Sequence, residues 1–314
     1  MSVVELLNSR EVCGLLDSVM PPLEHRITVP MIAPPVTNHY PLVGTAFDYA
    51  IRFELQRRYP YPYVCAKPWV SESAVNLINA RLRRHVNKIL GAAKADFQRY
   101  ITCRTPDKTA RRAMAAHAIR LAKIDAIYRA GFVDPTMDVA DPGDVRDVLQ
   151  LLSKVPYGKL SHPSRMHLNP TFGIYSNIVG GADCDLIIGD TLIDIKVTKN
   201  DAIDKKYIRQ LISYVILARG ARQEDAAFPN IRHIGIYFAR HGHLWTLDAK
   251  GIINNPAFRR VERAYLDFAG KKYNMSKNPL DMFRALLSER RARPKPKKKS
   301  RGKTMPHRKA IGKK

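Results

Sequence analysis

The chain has 314 residues, 53 Lys and Arg against 28 Asp and Glu, and a formal net charge of +25. An apolar fraction of 45% is enough to bury a core and excludes wholesale disorder, while the length fits one elaborated domain or two ordinary ones. Residues 290–314 hold thirteen Lys and Arg and no acid, leaving +12 for residues 1–289, so about half of the excess charge belongs to a tail.

Residues 1–43 carry Pro21, Pro22, Pro30, Pro34, Pro35 and Pro41 and read as an irregular, extended lead-in. From Gly44 to Arg58, Phe47, Ile51 and Leu55 recur at helical spacing. Two further helical regions, about Ser73 to Tyr100 and about Lys108 to Ala130, are rich in Ala and Leu and studded with Arg and Lys. They predict an α-helical insertion over about 71–157 with one basic face. The break at Asp141–Pro142–Gly143 is followed by a helical stretch that ends near Pro156–Tyr157–Gly158. Residues 172–199 turn rich in Ile, Val and Thr, which signals strands, and Asp204 to Arg219 returns to helical periodicity. After it, IRHIGIYFAR, HGH and LWTLD read as a β-hairpin. An amphipathic helix is expected over about 256–288, and the tail 289–314 has too little apolar material to pack. The implied fold is a mixed α/β (α+β) domain over 44–288, with its core at about 158–250.

Cys13, Cys65, Cys103 and Cys184 stand singly, without the spacing of a disulfide framework or a zinc site. They read as reduced thiols of a cytoplasmic protein. The N-terminus lacks a basic-then-apolar leader, and no uncharged run approaches the roughly 20 residues that cross a bilayer, so no membrane is expected. The basic surplus points to a polyanion partner. Neither a P-loop nor a Gly-x-Ser-x-Gly elbow occurs. His162, His167, His241 and His243 read as solvent-facing loop histidines rather than catalytic ones.

The most informative stretch is Gly180–Lys196, GGADCDLIIGDTLIDIK. Gly189–Asp190 between two apolar runs makes a two-residue hairpin turn. If Ile188 pairs with Thr191, Asp185 falls opposite Asp194 and Asp183 opposite Lys196. Side chains alternate along a strand, so these four project from one face, with Ile187, Ile193 and Ile195 expected on the other. Three crowded carboxylates repel one another and are costly to desolvate. A divalent cation removes that cost, and oxygen ligands suit Mg²⁺ or Mn²⁺. Lys196 beside them would stabilise the attacking water as hydroxide or neutralise charge on a pentavalent phosphorane.

This segment resembles the active-site hairpin of the PD-(D/E)XK nuclease superfamily: Gly180-x-x-Asp183 (or Asp185), a short turn, then Asp194-x-Lys196. On the helix that follows, Gln210-x-x-x-Tyr214 resembles the QxxxY motif of that superfamily's recombination-exonuclease branch, and the two share one helix face. The resemblance spans roughly 44–58 and 165–248, a little under a third of the chain. It implies a restriction-endonuclease-like core, a mixed sheet flanked by helices, and a metal-dependent nuclease acting on DNA. Asp183 and/or Asp185 with Asp194 would ligate Mg²⁺, Lys196 would assist water, and Gln210 and Tyr214 would position the substrate strand. The superfamily's further acid, from the helix before the strands, is assigned to Glu54, with Asp48 second. Asp194 stands where many members have Glu. Some relatives hold an iron–sulfur cluster through one early and three late cysteines; no cysteine follows Cys184, so no cluster is expected. The basic insertion and tail would neutralise phosphates without reading sequence. Two alternatives stand beside this reading, a non-catalytic nucleic-acid-binding module on the same fold and an RNA-directed nuclease. The sequence does not separate exo- from endonuclease action.

Overall fold

The computed structural model describes residues 3–59, 64–162 and 165–272; the expected tail and the 273–288 end of the last expected helix lie outside them. In chain order the helices are α1 (Val3–Leu6), α2 (Arg10–Asp17), α3 (Tyr40–Arg58), α4 (Val70–Ser73), α5 (Ala80–Thr102), α6 (Lys108–Ala130), α7 (Pro142–Ser153), α8 (Ile174–Ile178), α9 (Lys205–Glu224), α10 (Lys250–Ile253) and α11 (Phe258–Lys272). The strands are β1 (Val64–Ala66), β2 (Met166–Leu168), β3 (Leu186–Ile188), β4 (Thr191–Lys196), β5 (His233–Phe238) and β6 (His243–Asp248). They form one open mixed sheet in the order β1-β2-β3-β4-β5-β6.

Connection length decides the strand directions. β3–β4 and β5–β6 are antiparallel and joined by tight turns in which Gly189 (φ 62°) and Gly242 (φ 59°) adopt left-handed backbone, a conformation that costs glycine nothing. The parallel pair β4–β5 needs a longer crossover, which α9 supplies. The other parallel pair, β1–β2, is joined by the whole helical insertion.

Alternation along the strands builds two cores. Leu186, Ile188, Ile193 and Tyr237 pack with α3, α5, α6 and α7. Ile187, Leu192, Ile234, Ile236 and Phe238 pack with α2, α8, α9 and α11. The sheet is therefore the middle layer of three, and the insertion is an integral part of one outer layer: Phe53 of α3, Trp69 at the start of α4 and Phe97 of α5 lie together with ring centres 5.0–5.5 Å apart.

Three expectations are corrected. Residues 3–17 are not an irregular lead-in, since α1 and α2 bury Val3, Leu6, Val12 and Leu16 in the second core. Residues 174–178, read as part of a strand region, form helix α8. Ile187 faces the second core with Leu192, on the side of the aspartates, because the register that places Asp185 also places its i+2 neighbour.

Candidate active site

The hairpin β3–β4 pairs Ile188 with Thr191, Ile187 with Leu192 and Leu186 with Ile193. One step further, Asp185 lies opposite Asp194, and the ladder ends there because an Asp185 Oδ2 accepts the backbone N–H of Ile195 at 2.6 Å. The preceding chain leaves the sheet. Asp183 bridges to Thr171 instead of pairing with Lys196, which corrects the expected register at that position. Asp194 is buried, and Lys196 Nζ stands 2.7 Å from its Oδ2.

Behind Lys196 runs a short polar chain. Nζ donates to Gln210 Oε1 at 2.9 Å, and Gln210 Nε2 donates to the Tyr214 hydroxyl at 3.0 Å. Both side chains point from one face of α9, are 8% and 6% exposed, and sit under the sheet; the Tyr214 ring stacks on Phe172. Lys196 also lies 4.9 Å from the ring centre of Tyr207, a favourable cation–π distance. Gln210 and Tyr214, expected to position a substrate strand, are hydrogen-bonded in series behind the lysine.

Two helices on the opposite layer complete the cluster with the same four-residue spacing. On α3, Arg52 Nη2 donates to Asp48 Oδ2 at 2.6 Å. On α6, Arg129 Nε donates to Asp125 Oδ1 at 2.8 Å, whose other oxygen accepts from Tyr49 at 3.1 Å. Arg129 Nη2 also reaches Asp183 Oδ2 at 3.4 Å. Burial and then the charges of Asp48 and Asp194 push the Asp185 carboxyl well above the usual range. Burial raises Asp48 as well, although Arg52 and Arg129 oppose it. For Lys196 burial acts downward, but the adjacent Asp194 outweighs it and holds the ammonium above its ordinary value, so Lys196 is a proton donor and not a resting base. Asp48, Asp125, Asp183, Asp185 and Asp194 face Arg52, Arg129 and Lys196, which leaves two formal negative charges.

Glu54 does not join this group. Its carboxylate accepts from Tyr100, Arg57 at 2.7 Å and Arg58 at 3.2 Å. Burial alone would raise it, yet the Tyr100 and Arg57 hydrogen bonds hold it below the usual range. Asp48, the second candidate on the same helix, is the one close enough to the cluster to act on Asp185. The reason is rotation: six residues carry the helix more than one and a half turns, to a different face. His241, expected in solvent, is buried with Nδ1 3.0 Å from the Val29 carbonyl oxygen. Arg52, Asp125, Arg129 and Tyr49 were not found from the sequence. The signal was there as two Asp-x-x-x-Arg segments, Asp48 to Arg52 and Asp125 to Arg129.

A cleft of about 910 Å³ runs between the insertion and residues 169–183, which include α8, and reaches Arg129 and Asp183 of this cluster, with Lys67, Tyr128, Asn169 and Thr171 also among its walls. Among the described residues, no three His, Cys, Asp or Glu side chains are gathered closely enough to hold a metal ion as they stand. The donor set nonetheless fits a hard cation in kind. It offers oxygen ligands only, and an Asp48 Oδ1 that is buried without a hydrogen-bond partner. Such an atom is costly until something satisfies it.

No protein-family model, curated protein or solved structure matches this chain. Among the described residues, no helix is long and apolar enough to cross a membrane.

Proposed function

We propose that the protein is a metal-dependent nuclease that hydrolyses DNA phosphodiester bonds. The observation that carries this reading is the Asp185–Asp194 pair facing across a hairpin, with Lys196 locked beside Asp194; of the same cluster, Asp183 and Arg129 line an open cleft. Asp185, Asp194 and Asp48 would hold a Mg²⁺ or Mn²⁺ ion, with Asp183 at the cleft side. A bound divalent ion would supply Lewis-acid stabilisation of phosphoryl charge and a more acidic water.

The chain's own residues do the rest. Lys196, kept protonated by Asp194, orients the attacking water by donating a hydrogen bond and offsets charge that grows on the phosphorane. Gln210 and Tyr214 fix its direction, so the ammonium is placed before substrate arrives. Arg129 presents a half-exposed guanidinium to the cleft, suited to a phosphate oxygen. The exposed basic residues of α5 and α6, among them Arg81, Arg84, Lys88, Arg111 and Arg112, hold backbone phosphates without reading bases.

The test is incubation of linear and closed circular DNA with Mg²⁺, Mn²⁺ or EDTA. Cleavage abolished by EDTA, by Asp194→Asn and by Lys196→Ala supports the enzyme. DNA binding without cleavage under any metal supports a binding module instead. Loss of linear DNA alone identifies an end-dependent exonuclease, and cleavage of RNA alone moves the substrate class.

A further inference from the structure

Tyr128 is a large aromatic side chain left in the open. It is 52% exposed, lies on the wall of the cleft, and among the described residues neither stacks on another ring nor makes a hydrogen bond. An isolated exposed aromatic is ordinary on a protein surface, so its surroundings decide its meaning. The next residue, Arg129, reaches Asp183 at 3.4 Å, which places the ring within a nucleotide or two of the acidic cluster. Lys67, exposed and in no salt bridge among the described residues, lines the same cleft. On the facing wall Gly180 (φ 74°) and Gly181 (φ 114°) leave the backbone bare and Asn169 and Asn177 offer amides, while Asn76 offers another from the insertion side. A cation at the rim, an open ring and side-chain amides make the combination that holds an unpaired strand: charge follows the phosphates and the ring takes a base face.

We infer that Tyr128 is the base-stacking platform of a single-strand binding site in this cleft, and that the substrate enters as unpaired DNA. The inference rests on the nuclease reading for its substrate and adds the strand state. Two points of physics favour one strand. Base faces are open to a protein ring only where bases are unstacked. A volume of about 910 Å³ is in the size class of clefts that take a small ligand, enough for one or two nucleotides of a single strand. A duplex would meet the outer basic helices and have to fray before a phosphate reached Asp183.

The experiment measures binding of the full-length protein, in EDTA so that nothing is cut, to fluorescently labelled oligothymidylate and to a blunt hairpin duplex. Tyr128→Ala is expected to weaken oligothymidylate binding about tenfold, as loss of one stacked base does, and to leave duplex binding within about twofold. Tyr128→Trp restores the single-strand affinity. Lys67→Ala weakens single-strand binding and lowers its log–log salt slope by about one. Equal binding of oligothymidylate by wild type and Tyr128→Ala, or an equal loss for strand and duplex, overturns the inference. Cleavage in Mg²⁺ is scored separately. Tyr128-dependent strand binding with no cleavage under any metal keeps the site and removes the nuclease reading; cleavage with no Tyr128 dependence does the reverse.

Discussion

Lys196 is anchored by Gln210, whose amide oxygen accepts from Nζ across 2.9 Å. The contact spans β4 and α9, so the crossover helix reaches back to the strand that precedes it. An ammonium on a four-carbon stem is otherwise free to rotate, and on the proposed nuclease reading fixing it beforehand removes an entropic cost from turnover. Gln210→Ala is therefore expected to lower kcat about 10–100-fold, the usual effect of removing a supporting partner in a metal site, with KM nearly unchanged. Tyr214→Phe, which removes only the next hydrogen bond, is expected to have a smaller effect. Steady-state kinetics on linear DNA distinguish the two. A rise in KM with kcat preserved would place Gln210 on the substrate instead.

The acidic cluster ties stability to pH and, on the proposed nuclease reading, cation binding as well. Burial, with repulsion from Asp48 and Asp194, raises the Asp185 carboxyl well above 3.8. A carboxyl whose folded pKa exceeds its unfolded one stabilises the fold while protonated, and that contribution is lost as pH rises through the folded value. The metal-free protein is therefore expected to melt at falling temperature as pH climbs above the ordinary aspartate range. Asp185→Asn, which keeps an oxygen for the Ile195 N–H, flattens that fall. Divalent-ion affinity moves the opposite way and strengthens with pH, because the ion must displace the proton. Melting curves in EDTA and in Mg²⁺ across pH check both, and a wild-type curve parallel to that of Asp185→Asn removes the assignment.

Glu54 and Asp48 sit on one helix and should separate cleanly on mutation. The Glu54 carboxylate is held below 4.5 by Tyr100 and Arg57 acting against burial. Its contribution to stability is thus present at neutral pH and lost as pH falls through its depressed folded value. Glu54→Gln should cost about 1–3 kcal/mol at pH 7, with the gap from wild type closing in acid, and should leave cation affinity unchanged. Asp48→Asn should abolish metal-dependent cleavage and cost some stability too, because it leaves the buried Arg52, bonded to Asp48 at 2.6 Å, without its opposite charge; loss of cation affinity is what sets it apart from Glu54→Gln. Urea titrations together with calorimetric Mn²⁺ binding read the two effects.

How much of this was legible varied with the kind of signal. The Gly189 turn fixed the β3–β4 register because period-two alternation allows one answer once a single pair is known. Helix α6 reads directly from Lys108 to Ala130, since Asp107 caps its start through the Ala110 N–H and Gly131 ends it in left-handed backbone. The helical acid was harder. From Tyr49 to Leu55 every residue of α3 is buried, so periodicity no longer tells an inward face from an outward one, and Glu54 and Asp48 looked alike. Asp125 and Arg129 come from the insertion, which lies outside any resemblance confined to the hairpin. At the N-terminus the prolines drew attention away from Val3, Leu6, Val12 and Leu16, an apolar set that needs the sheet beneath it to show which side it covers.

The buried pair Arg240–Asp147 offers the sharpest test of the three-layer arrangement. Arg240, at the β5–β6 turn, is 0% exposed. It donates to both Asp147 oxygens on α7, at 2.9 and 3.1 Å, and to the Ala33 carbonyl at 3.1 Å. Asp147 also accepts the Val36 N–H at 3.2 Å. Three stretches distant in sequence therefore meet at one guanidinium: the segment before α3, the insertion and the last hairpin. Removing one partner leaves the other charge buried and unpaired, so Arg240→Ala and Asp147→Ala should each cost about 3–5 kcal/mol. Arg240→Met with Asp147→Leu should lose less than either single change, because apolar side chains of similar volume leave no charge stranded. Urea midpoints of the four proteins give the comparison. If the single variants lose under about 1 kcal/mol, the range of an exposed pair, then water reaches this junction and the insertion is not sealed against the core.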